Sequence, residues 1–196
     1  MPVIGITGGI ATGKSAFCER LTEILAVTFF DADQAARELT EKNAEVQSLI
    51  AAVFGESVFS QGHLNRAQLR TIVFADPEKK LALEQILHPR IRRQWVVEAE
   101  SRRDSTELFL ADIPLLYETG GESFCNRVVV VACSPRLQLE RLMTRSKLSQ
   151  PVAEQMIAAQ MPLTEKIARA DHVVWNNGPR AGLAAQAEIL GLSWQR

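Results

Sequence analysis

Apolar residues at the start of the chain follow two different spacings. Residues 3–7 form an apolar run of strand length, and the apolar residues that follow, as far as residue 26, recur at helical spacing. A second apolar run at 27–30 precedes a helical pattern over 34–40. This order of strand, helix, strand and helix is typical of a parallel sheet with crossover helices.

The middle of the chain carries the helical pattern alone. It predicts four helices, over 46–54, 66–74, 77–87 and 89–103. Asp76 and Pro77 suit a helix cap and a first helical position, and Gly62 marks a loop or short hairpin. His88-Pro89 predicts a break, because proline lacks the backbone N–H that a helix interior needs. We expect residues 43–103 to form a helical, substrate-binding domain; the alternative is that these helices only cover one face of the sheet.

The strand pattern returns in the last part of the chain. It predicts strands over 107–112, 126–133 and 172–175, and helices over 135–146, 151–161 and 181–190. The run at 126–133 is too uniformly apolar to be exposed. The predicted fold is therefore α/β, with a five-stranded parallel sheet and flanking helices.

Composition narrows the class of protein. The net charge of −1 over 196 residues gives no general attraction to nucleic acid or to anionic membranes. The three cysteines are odd in number and include no Cys-x-x-Cys pair, which argues against a disulfide framework or a zinc ribbon and favours a reducing cytoplasm. The chain opens on a strand rather than on a signal-peptide pattern, and no apolar run approaches the ~20 residues that span a membrane.

A phosphate-binding loop is predicted between the first strand and the first helix. Residues 8–15, Gly-Gly-Ile-Ala-Thr-Gly-Lys-Ser, match the pattern of glycine, four residues, then Gly-Lys-Ser. Glycines let the backbone approach a ligand closely, and N–H groups at a helix start favour an anion. Lys14 offers a charge for the outer phosphates, and Ser15 offers a hydroxyl for the Mg²⁺ of a nucleotide triphosphate. The flanking strand and helix favour this function over a glycine turn with a solvated lysine.

Polar residues follow several of the predicted strands. Ligands of open parallel sheets bind beyond the carboxyl ends of the strands. Asp31 and Asp33 follow the second strand, Asp112 ends the third, and Asn176 and Asn177 follow the fifth. These residues are therefore expected at the same edge as the phosphate loop.

The acidic residues at this edge have more than one interpretation. Asp33 is predicted to accept a proton from a substrate hydroxyl or to orient that hydroxyl, and Asp31 is predicted to cap the next helix. Asp112 is predicted either to hold Mg²⁺ through water or to form part of a turn before Pro114.

Two further groups are candidates for substrate contacts. His88 precedes a proline, which favours extended geometry, so it is expected either to cap a helix or to contact a substrate phosphate or ribose. Arg141 and Arg145 share a helix face, where like charges repel unless an anion lies between them. They are predicted to bind phosphates, the alternative being a solvated arginine face beside Glu140.

Several of these motifs occur together and in a fixed order along the chain. They are Thr7-Gly8-Gly9-Ile10 with Gly13-Lys14-Ser15; Asp31-Ala32-Asp33; Leu87-His88-Pro89; Pro114-Leu115-Leu116-Tyr117-Glu118; Arg141 with Arg145; Ala159-Gln160; and Ala170-Asp171 with Asn176-Asn177-Gly178. The ordered set resembles the dephospho-CoA kinase family from end to end. The resemblance implies a P-loop kinase fold and ATP-dependent phosphorylation of the ribose 3′-hydroxyl of dephospho-CoA, giving coenzyme A and ADP.

The resemblance also implies a domain organisation. The nucleotide-binding core would consist of 1–42, 104–135 and 163–196, the acceptor domain of 43–103, and a small lid of 136–162. The partners would be ATP and dephospho-CoA, with Mg²⁺ as cofactor and with neither nucleic acid nor membrane. We expect a monomer, with an oligomer left open.

Residue roles carry over from the family by position. Asp33 would be the catalytic acid–base residue, with Lys14 and Arg141 as the other catalytic residues. The acceptor would contact Asp33, His88, Leu115, Leu116 and Tyr117, although this single tyrosine is as readily a core residue. Ser15 and, through water, Asp112 would hold the metal. ATP would contact Gly8, Gly9, Ala11, Thr12, Gly13, Lys14, Ser15, Ala16, Arg141, Arg145 and Asn177.

The chain departs from the family pattern at three places. Ala11-Thr12 stands where the family usually has Gly-Ser or Gly-Cys, and Ala11 should be tolerated if its backbone angles are ordinary. Ser146 stands where the family often has an acid or Asn, and Trp175 stands where an acid is common. These two departures affect what the resemblance implies for the lid and for the adenine side of the ATP site.

Two other classes of protein share the phosphate loop. A nucleoside monophosphate kinase is one, but the helical insertion with His88-Pro89 favours dephospho-CoA as acceptor. A GTP-dependent switch is the other, and the chain lacks the Asn-Lys-x-Asp segment that reads guanine.

Overall fold

The computed structural model describes residues 2–102 and 105–194. We number the elements in chain order. The strands are β1 Val3–Gly8, β2 Val27–Asp31, β3 Phe59–Ser60, β4 His63–Leu64, β5 Leu108–Asp112, β6 Arg127–Ala132 and β7 His172–Trp175. The helices are α1 Lys14–Ile24, α2 Ala32–Lys42, α3 Ala44–Phe54, α4 Arg66–Ala75, α5 Pro77–Ser101, α6 Pro135–Ser146, α7 Gln150–Ala158, α8 Leu163–Arg169 and α9 Arg180–Trp194. Two short 3-10 helices span Glu56–Val58 and Gly121–Phe124.

The main sheet confirms the predicted five parallel strands. Their order is β2-β5-β1-β6-β7, which places β1 in the centre. Ile6 of β1 lies opposite Asp112 of β5 on one side and Val129 of β6 on the other. All of β1 and all of β5 are buried, as is β6 after Arg127. Strands covered on both faces need this uniformly apolar sequence.

Helices α1 and α9 pack against one another and contribute to the core beside the sheet. Phe17 and Leu21 of α1 are fully buried with Ile4 and Ile6 of β1. Each such side chain contributes roughly 1.5–3 kcal/mol of burial free energy. Cys18 lies in the same core, as expected for a small hydrophobic residue.

The chain divides into two compact units. The first consists of Met1–Phe30 with Ser101–Arg196, and the second of Asp31–Glu100. The second unit has its own core, to which Leu39 of α2 contributes together with Ile50 of α3. Helix α2 is thus part of this unit, because it packs with the inserted helices. The acceptor domain predicted over 43–103 stays a prediction. The predicted boundary at residues 103 and 104 lies outside the described residues.

Helix α5 contradicts the predicted break at His88-Pro89. It runs without interruption from Pro77 to Ser101, so the two helices predicted over 77–87 and 89–103 are one; the predicted end at Arg103 lies outside the described residues. A proline inside a helix costs about 3 kcal/mol. Burial of Ile86 and Trp95 on either side of the proline offsets this cost. His88 is therefore a residue of a helix interior and caps no helix start.

Smaller elements refine the sequence prediction. Asp76 accepts hydrogen bonds from the N–H groups of Glu78 and Lys79, which confirms it as a cap. Strands β3 and β4 form a hairpin with positive φ at Gln61 and Gly62, so the Gly62 segment is a hairpin turn. Helix α8 had not been predicted. None of the described helices combines the length and the apolar character that crossing a membrane requires.

Strand β7 forms one edge of the sheet. The N–H of Trp175 donates to Oε1 of Gln186 at 2.9 Å, and Nε2 of Gln186 donates to the carbonyl oxygen of Trp175, also at 2.9 Å. A side-chain amide from α9 thus pairs with the backbone of this residue much as a neighbouring strand would.

Candidate active site

The predicted phosphate loop connects β1 to α1. Its last glycine, Gly13, is the N-cap of α1 and has a φ of 95°. A Cβ at this position would lie 2.0 Å from Nδ2 of Asn176, so both the backbone angle and the space require glycine. Ser15 is exposed in the first turn of α1, which carries no acidic residue. The N–H groups of this turn have no partners within the helix and form a site for an anion.

Hydrogen bonds from within and beyond the loop fix its shape. The buried Thr12 donates from Oγ1 to the carbonyl oxygen of Gly9 at 2.9 Å. Nδ2 of Asn176, which follows β7, donates to the carbonyl oxygen of Thr12 at 2.9 Å. Ala11 has a φ of 62°, a left-handed conformation. Ala11 therefore lacks the ordinary backbone angles under which we expected it to be tolerated. Its conformation costs a non-glycine residue about 1–2 kcal/mol.

A buried ion pair lies beside the loop. Nζ of Lys14 pairs with Oδ1 of Asp112, and the two side chains are only 12% and 6% exposed. Sγ of Cys18 lies 3.6 Å from Oδ2 of the same carboxylate. The residue predicted to bind outer phosphates and the residue predicted to hold Mg²⁺ are thus in direct contact.

The oxygen donors near the loop suit Mg²⁺. This ion prefers hard oxygen ligands and is usually held by one or two carboxylates together with waters and substrate phosphates. Asp112 supplies a carboxylate and Ser15 a hydroxyl at the start of α1. Within residues 2–102 and 105–194, no cluster of three or more His, Cys, Asp or Glu side chains forms a dedicated cage.

A groove of about 470 Å³ opens beside the loop. It is lined by Ala11, Gly13, Leu137, Glu140, Arg141, Thr144 and Arg145. Nη1 of Arg141 is buried and has no hydrogen-bond partner among the described residues. Burial raises the pKa of the neighbouring Cys133 thiol, and the charge of Arg141 and its interaction with the thiol oppose that rise. Two arginines beside a phosphate loop form a pocket suited to a polyphosphate.

The predicted acceptor segment after β5 is tied to the chain around α8. Lys166 is fully buried, and its Nζ donates to the carbonyl oxygen of Pro114 at 2.8 Å and pairs with Glu118 at 2.8 Å. Thr7 donates to the same Pro114 oxygen, and the N–H of Met161 donates to Glu118. Burial lowers the pKa of Lys166, and its bond to Glu118 opposes that effect.

The three side chains predicted to line the acceptor site differ in exposure. Leu116 is fully buried and lies in the core, so its side chain is not accessible to a ligand. Tyr117 is 6% exposed and lies under the guanidinium of Arg169, 4.2 Å from the ring centroid. Its hydroxyl has no hydrogen-bond partner in the described part of the chain, and burial raises its pKa to about 12. Leu115 alone is partly exposed.

Asp31, Asp33 and His88 belong to the second compact unit. Oδ1 of Asp31 accepts from the N–H groups of Asp33 and Gln34 at 2.8 and 3.0 Å, which confirms Asp31 as the cap of α2. Asp33 is exposed in the first turn of that helix. His88 is half-buried within α5.

Asn176 lies at the phosphate loop, as its place after the last strand predicted, and bonds to Thr12, whereas Oδ1 of Asn177 accepts from the N–H of Ser134 at 2.7 Å. Other site residues were not predicted from the sequence. Gln138 and Lys166 also contact the site, and no local pattern marks them. Gln160 belongs to the Ala159-Gln160 motif, and its Oε1 accepts from the N–H of Ile10.

Comparison with known proteins gives a consistent result. The family profile described as "Dephospho-CoA kinase" matches residues 2–181. A protein named dephospho-CoA kinase from Bacillus cereus is 41% identical over 194 residues, covering 98% of this chain and 96% of its own. A crystal structure of a Thermus thermophilus protein superposes with a TM-score of 0.77 at 34% identity and covers 97% of both chains. A dephospho-CoA kinase from Campylobacter jejuni superposes with a TM-score of 0.67 at 25% identity, covering 98% of this chain and 96% of its own.

Proposed function

The chain belongs to the dephospho-CoA kinase family, and from this premise we propose that it transfers the γ-phosphoryl group of ATP to the ribose 3′-hydroxyl of dephospho-CoA. The products are coenzyme A and ADP. The observation that carries the proposal is the convergence of the phosphate loop, the Lys14–Asp112 pair and the arginine-lined groove in one compact unit.

The loop and the groove bind ATP. The N–H groups at the start of α1 and the charge of Lys14 hold the phosphates. Arg141 and Arg145 bind the same polyphosphate from the groove, and the buried, unpartnered Nη1 of Arg141 donates to a phosphate oxygen. A positioned arginine of this kind is worth about 10³–10⁵ in the rate of phosphoryl transfer.

Ser15 and Asp112 hold Mg²⁺, with Asp112 acting through water. A bound ion there would supply positive charge that offsets the charge developing on the phosphates. Lys14 would hold the outer phosphates, and its contact with Asp112 keeps its ammonium group beside the loop.

Asp33 aligns the ribose hydroxyl and accepts its proton. Its carboxylate is exposed in the first turn of α2, while that of Asp31 is engaged in capping the helix. His88 and Leu115 contact the acceptor. Three free thiols suit a reducing compartment, and we place the enzyme in the cytoplasm.

Asp33→Asn with Asp31→Asn as matched control tests the assignment. Both variants remove one carboxylate from the same turn, and asparagine is as good a helix cap as aspartate. Asp33→Asn should lower kcat by about 10²–10⁴ while ATP affinity stays unchanged, and Asp31→Asn should remain near wild type. The measurement is product analysis with ATP and dephospho-CoA, together with calorimetric ATP binding.

Two results would contradict the proposal. Near wild-type turnover of Asp33→Asn would remove Asp33 from the chemistry. Phosphorylation of a nucleoside monophosphate, but not of dephospho-CoA, in a panel of acceptors would replace the proposed activity with that of another small-molecule kinase.

A further inference from the structure

The peptide groups of Ile10 in the phosphate loop are held by two glutamine side chains. The N–H of Ile10 donates to Oε1 of Gln160 at 2.8 Å, and Nε2 of Gln138 donates to the carbonyl oxygen of Ile10 at 2.9 Å. The direction of both bonds is fixed by chemistry, because a backbone N–H requires an acceptor and a carbonyl oxygen requires a donor. One glutamine must therefore act as acceptor and the other as donor.

The two glutamines come from the two ends of the segment 136–162. Gln138 lies near the start of α6 and is 4% exposed, and Gln160 follows α7. The approach of Gln138 is so close that a Cβ at Gly9 would lie 2.5 Å from its Nε2. Neither contact is local, since the partners are 128 and 150 positions apart in sequence.

These contacts have a consequence for anion binding. The N–H of Ile10 is turned toward Gln160 and does not contribute to a phosphate site, which leaves that task to the N–H groups nearer α1. Gln138 also lies one turn before Arg141 on α6, so the two side chains share a helix face. The helix that carries the groove arginines is thus bonded directly to the phosphate loop.

We propose that Gln138 and Gln160 are positioning residues for ATP: they fix the phosphate loop in its binding shape and hold α6, with Arg141, in register with it. The proposal rests on the proposed function in one respect, that the loop binds the phosphates of ATP. Neither glutamine touches the reacting atoms, and each acts through the Ile10 backbone.

Glutamate substitutions separate the two roles. Gln160→Glu keeps an oxygen acceptor for the Ile10 N–H, whereas Gln138→Glu removes the donor and places an oxygen against the Ile10 carbonyl. Both variants add one negative charge near the loop, so charge repulsion of ATP affects both, and the difference between them isolates the hydrogen bond. Gln155→Glu, an exposed position on α7, is the control for charge on this segment.

ATP binding in the absence of acceptor, measured by calorimetry, is the primary readout. Gln138→Glu should weaken ATP binding at least tenfold more than Gln160→Glu does. KM for dephospho-CoA should stay within about twofold of wild type in both, a split that a general loss of structure would not produce. Equal ATP affinities for the two variants would overturn the proposal.

A second comparison covers the case in which the buried Gln138→Glu does not fold. Gln160→Leu removes the acceptor and should weaken ATP binding about tenfold, more than Gln160→Glu, with Gln155→Leu as control. Equal affinities of Gln160→Leu and Gln155→Leu would again overturn the proposal. If the wild-type protein itself failed to phosphorylate dephospho-CoA, the proposed function would be at fault rather than the glutamines.

Discussion

Replacing Glu118 with glutamine should destabilise the protein more than replacing its partner Lys166 with methionine. This order is unexpected from exposure alone, because the Glu118 side chain is 22% exposed and that of Lys166 is fully buried. The reason is that each substitution leaves the other residue behind, and the two residues left behind differ in their access to water.

The magnitudes follow from the contacts. Glu118→Gln leaves a buried ammonium without a countercharge, which costs about 3–5 kcal/mol. Deprotonation limits this cost, since neutralising a lysine of pKa 10.5 at pH 7 requires about 5 kcal/mol. Lys166→Met leaves Glu118 with water and the Met161 N–H, so its cost is about 1–2 kcal/mol. Adding Lys166→Met to Glu118→Gln should therefore recover part of the loss.

Urea unfolding, followed by circular dichroism, measures the free energies of unfolding of Glu118→Gln, Lys166→Met and the double variant relative to wild type. Hydrogen exchange of peptides from β1 and β6 assigns the change to the first compact unit, where the pair lies. A double variant no more stable than Glu118→Gln, or a larger loss for Lys166→Met than for Glu118→Gln, would show that the buried charge is not the dominant cost.

The pH dependence provides an independent check. Burial lowers the pKa of Lys166 in the folded protein, so just below pH 10.5 the unfolded chain binds more protons than the folded one. The contribution of Lys166 to stability therefore rises with pH in that range. Glu118→Gln should extend the rise to lower pH, and Lys166→Met should remove it.

The remaining predictions concern the loop and the half-buried thiol of Cys125. Ala11→Gly removes the strain of the left-handed conformation, which stabilises the folded protein, but the greater entropy of the unfolded chain offsets this by about 0.4–1 kcal/mol. Calorimetry should therefore show Tm rising by about 1–3 °C. A lower Tm would argue against strain at Ala11. Gly13→Ala should weaken ATP binding at least tenfold through its clash with Asn176, and an unchanged calorimetric affinity would refute that geometry. Burial raises the pKa of Cys125 to about 12, so iodoacetamide at pH 8 should label it about 10³-fold more slowly than an ordinary cysteine, as followed by mass spectrometry. Its stability contribution should fall as pH rises above 9, because the folded protein then binds the extra proton; rapid labelling would contradict the burial.

Local sequence was sufficient for the phosphate loop and its flanking elements. The pattern at residues 8–15 is contiguous, and the strand before it and the helix after it are adjacent in sequence, so no long-range information was needed. The strand at 126–133 was equally clear, because a short, valine-rich apolar run is typical of a strand covered on both faces.

Prediction from local sequence was wrong where long-range packing determines the structure. At Pro89 the helix-breaking rule was outweighed by burial on a continuous helix, with Ile86 and Trp95 on either side. At Leu116 the side chain lies in the core while that of Leu115 is partly exposed, a difference that no local pattern indicates. The acceptor role of this segment stays a prediction.

The individual long-range hydrogen bonds of the site were beyond prediction from one sequence. Gln138 and Gln160 reach the phosphate loop from positions more than 120 residues away. Asn176 was expected at this edge because it follows a strand, but its bond to Thr12 was not. An amide side chain has no preferred partner, and nothing in the spacing indicates which peptide it will bond. The residues that bear charge were therefore predicted more readily than the residues that hold them in place.

The side chain of Gln186 caps the edge strand β7 at Trp175. At Trp175 the backbone N–H and the carbonyl oxygen are both hydrogen-bonded to the Gln186 amide. An extended segment of another molecule can pair with β7 at this residue only if it displaces that amide. Gln186→Ala would uncover that backbone. A single amide thus blocks edge-to-edge strand pairing at this residue of β7.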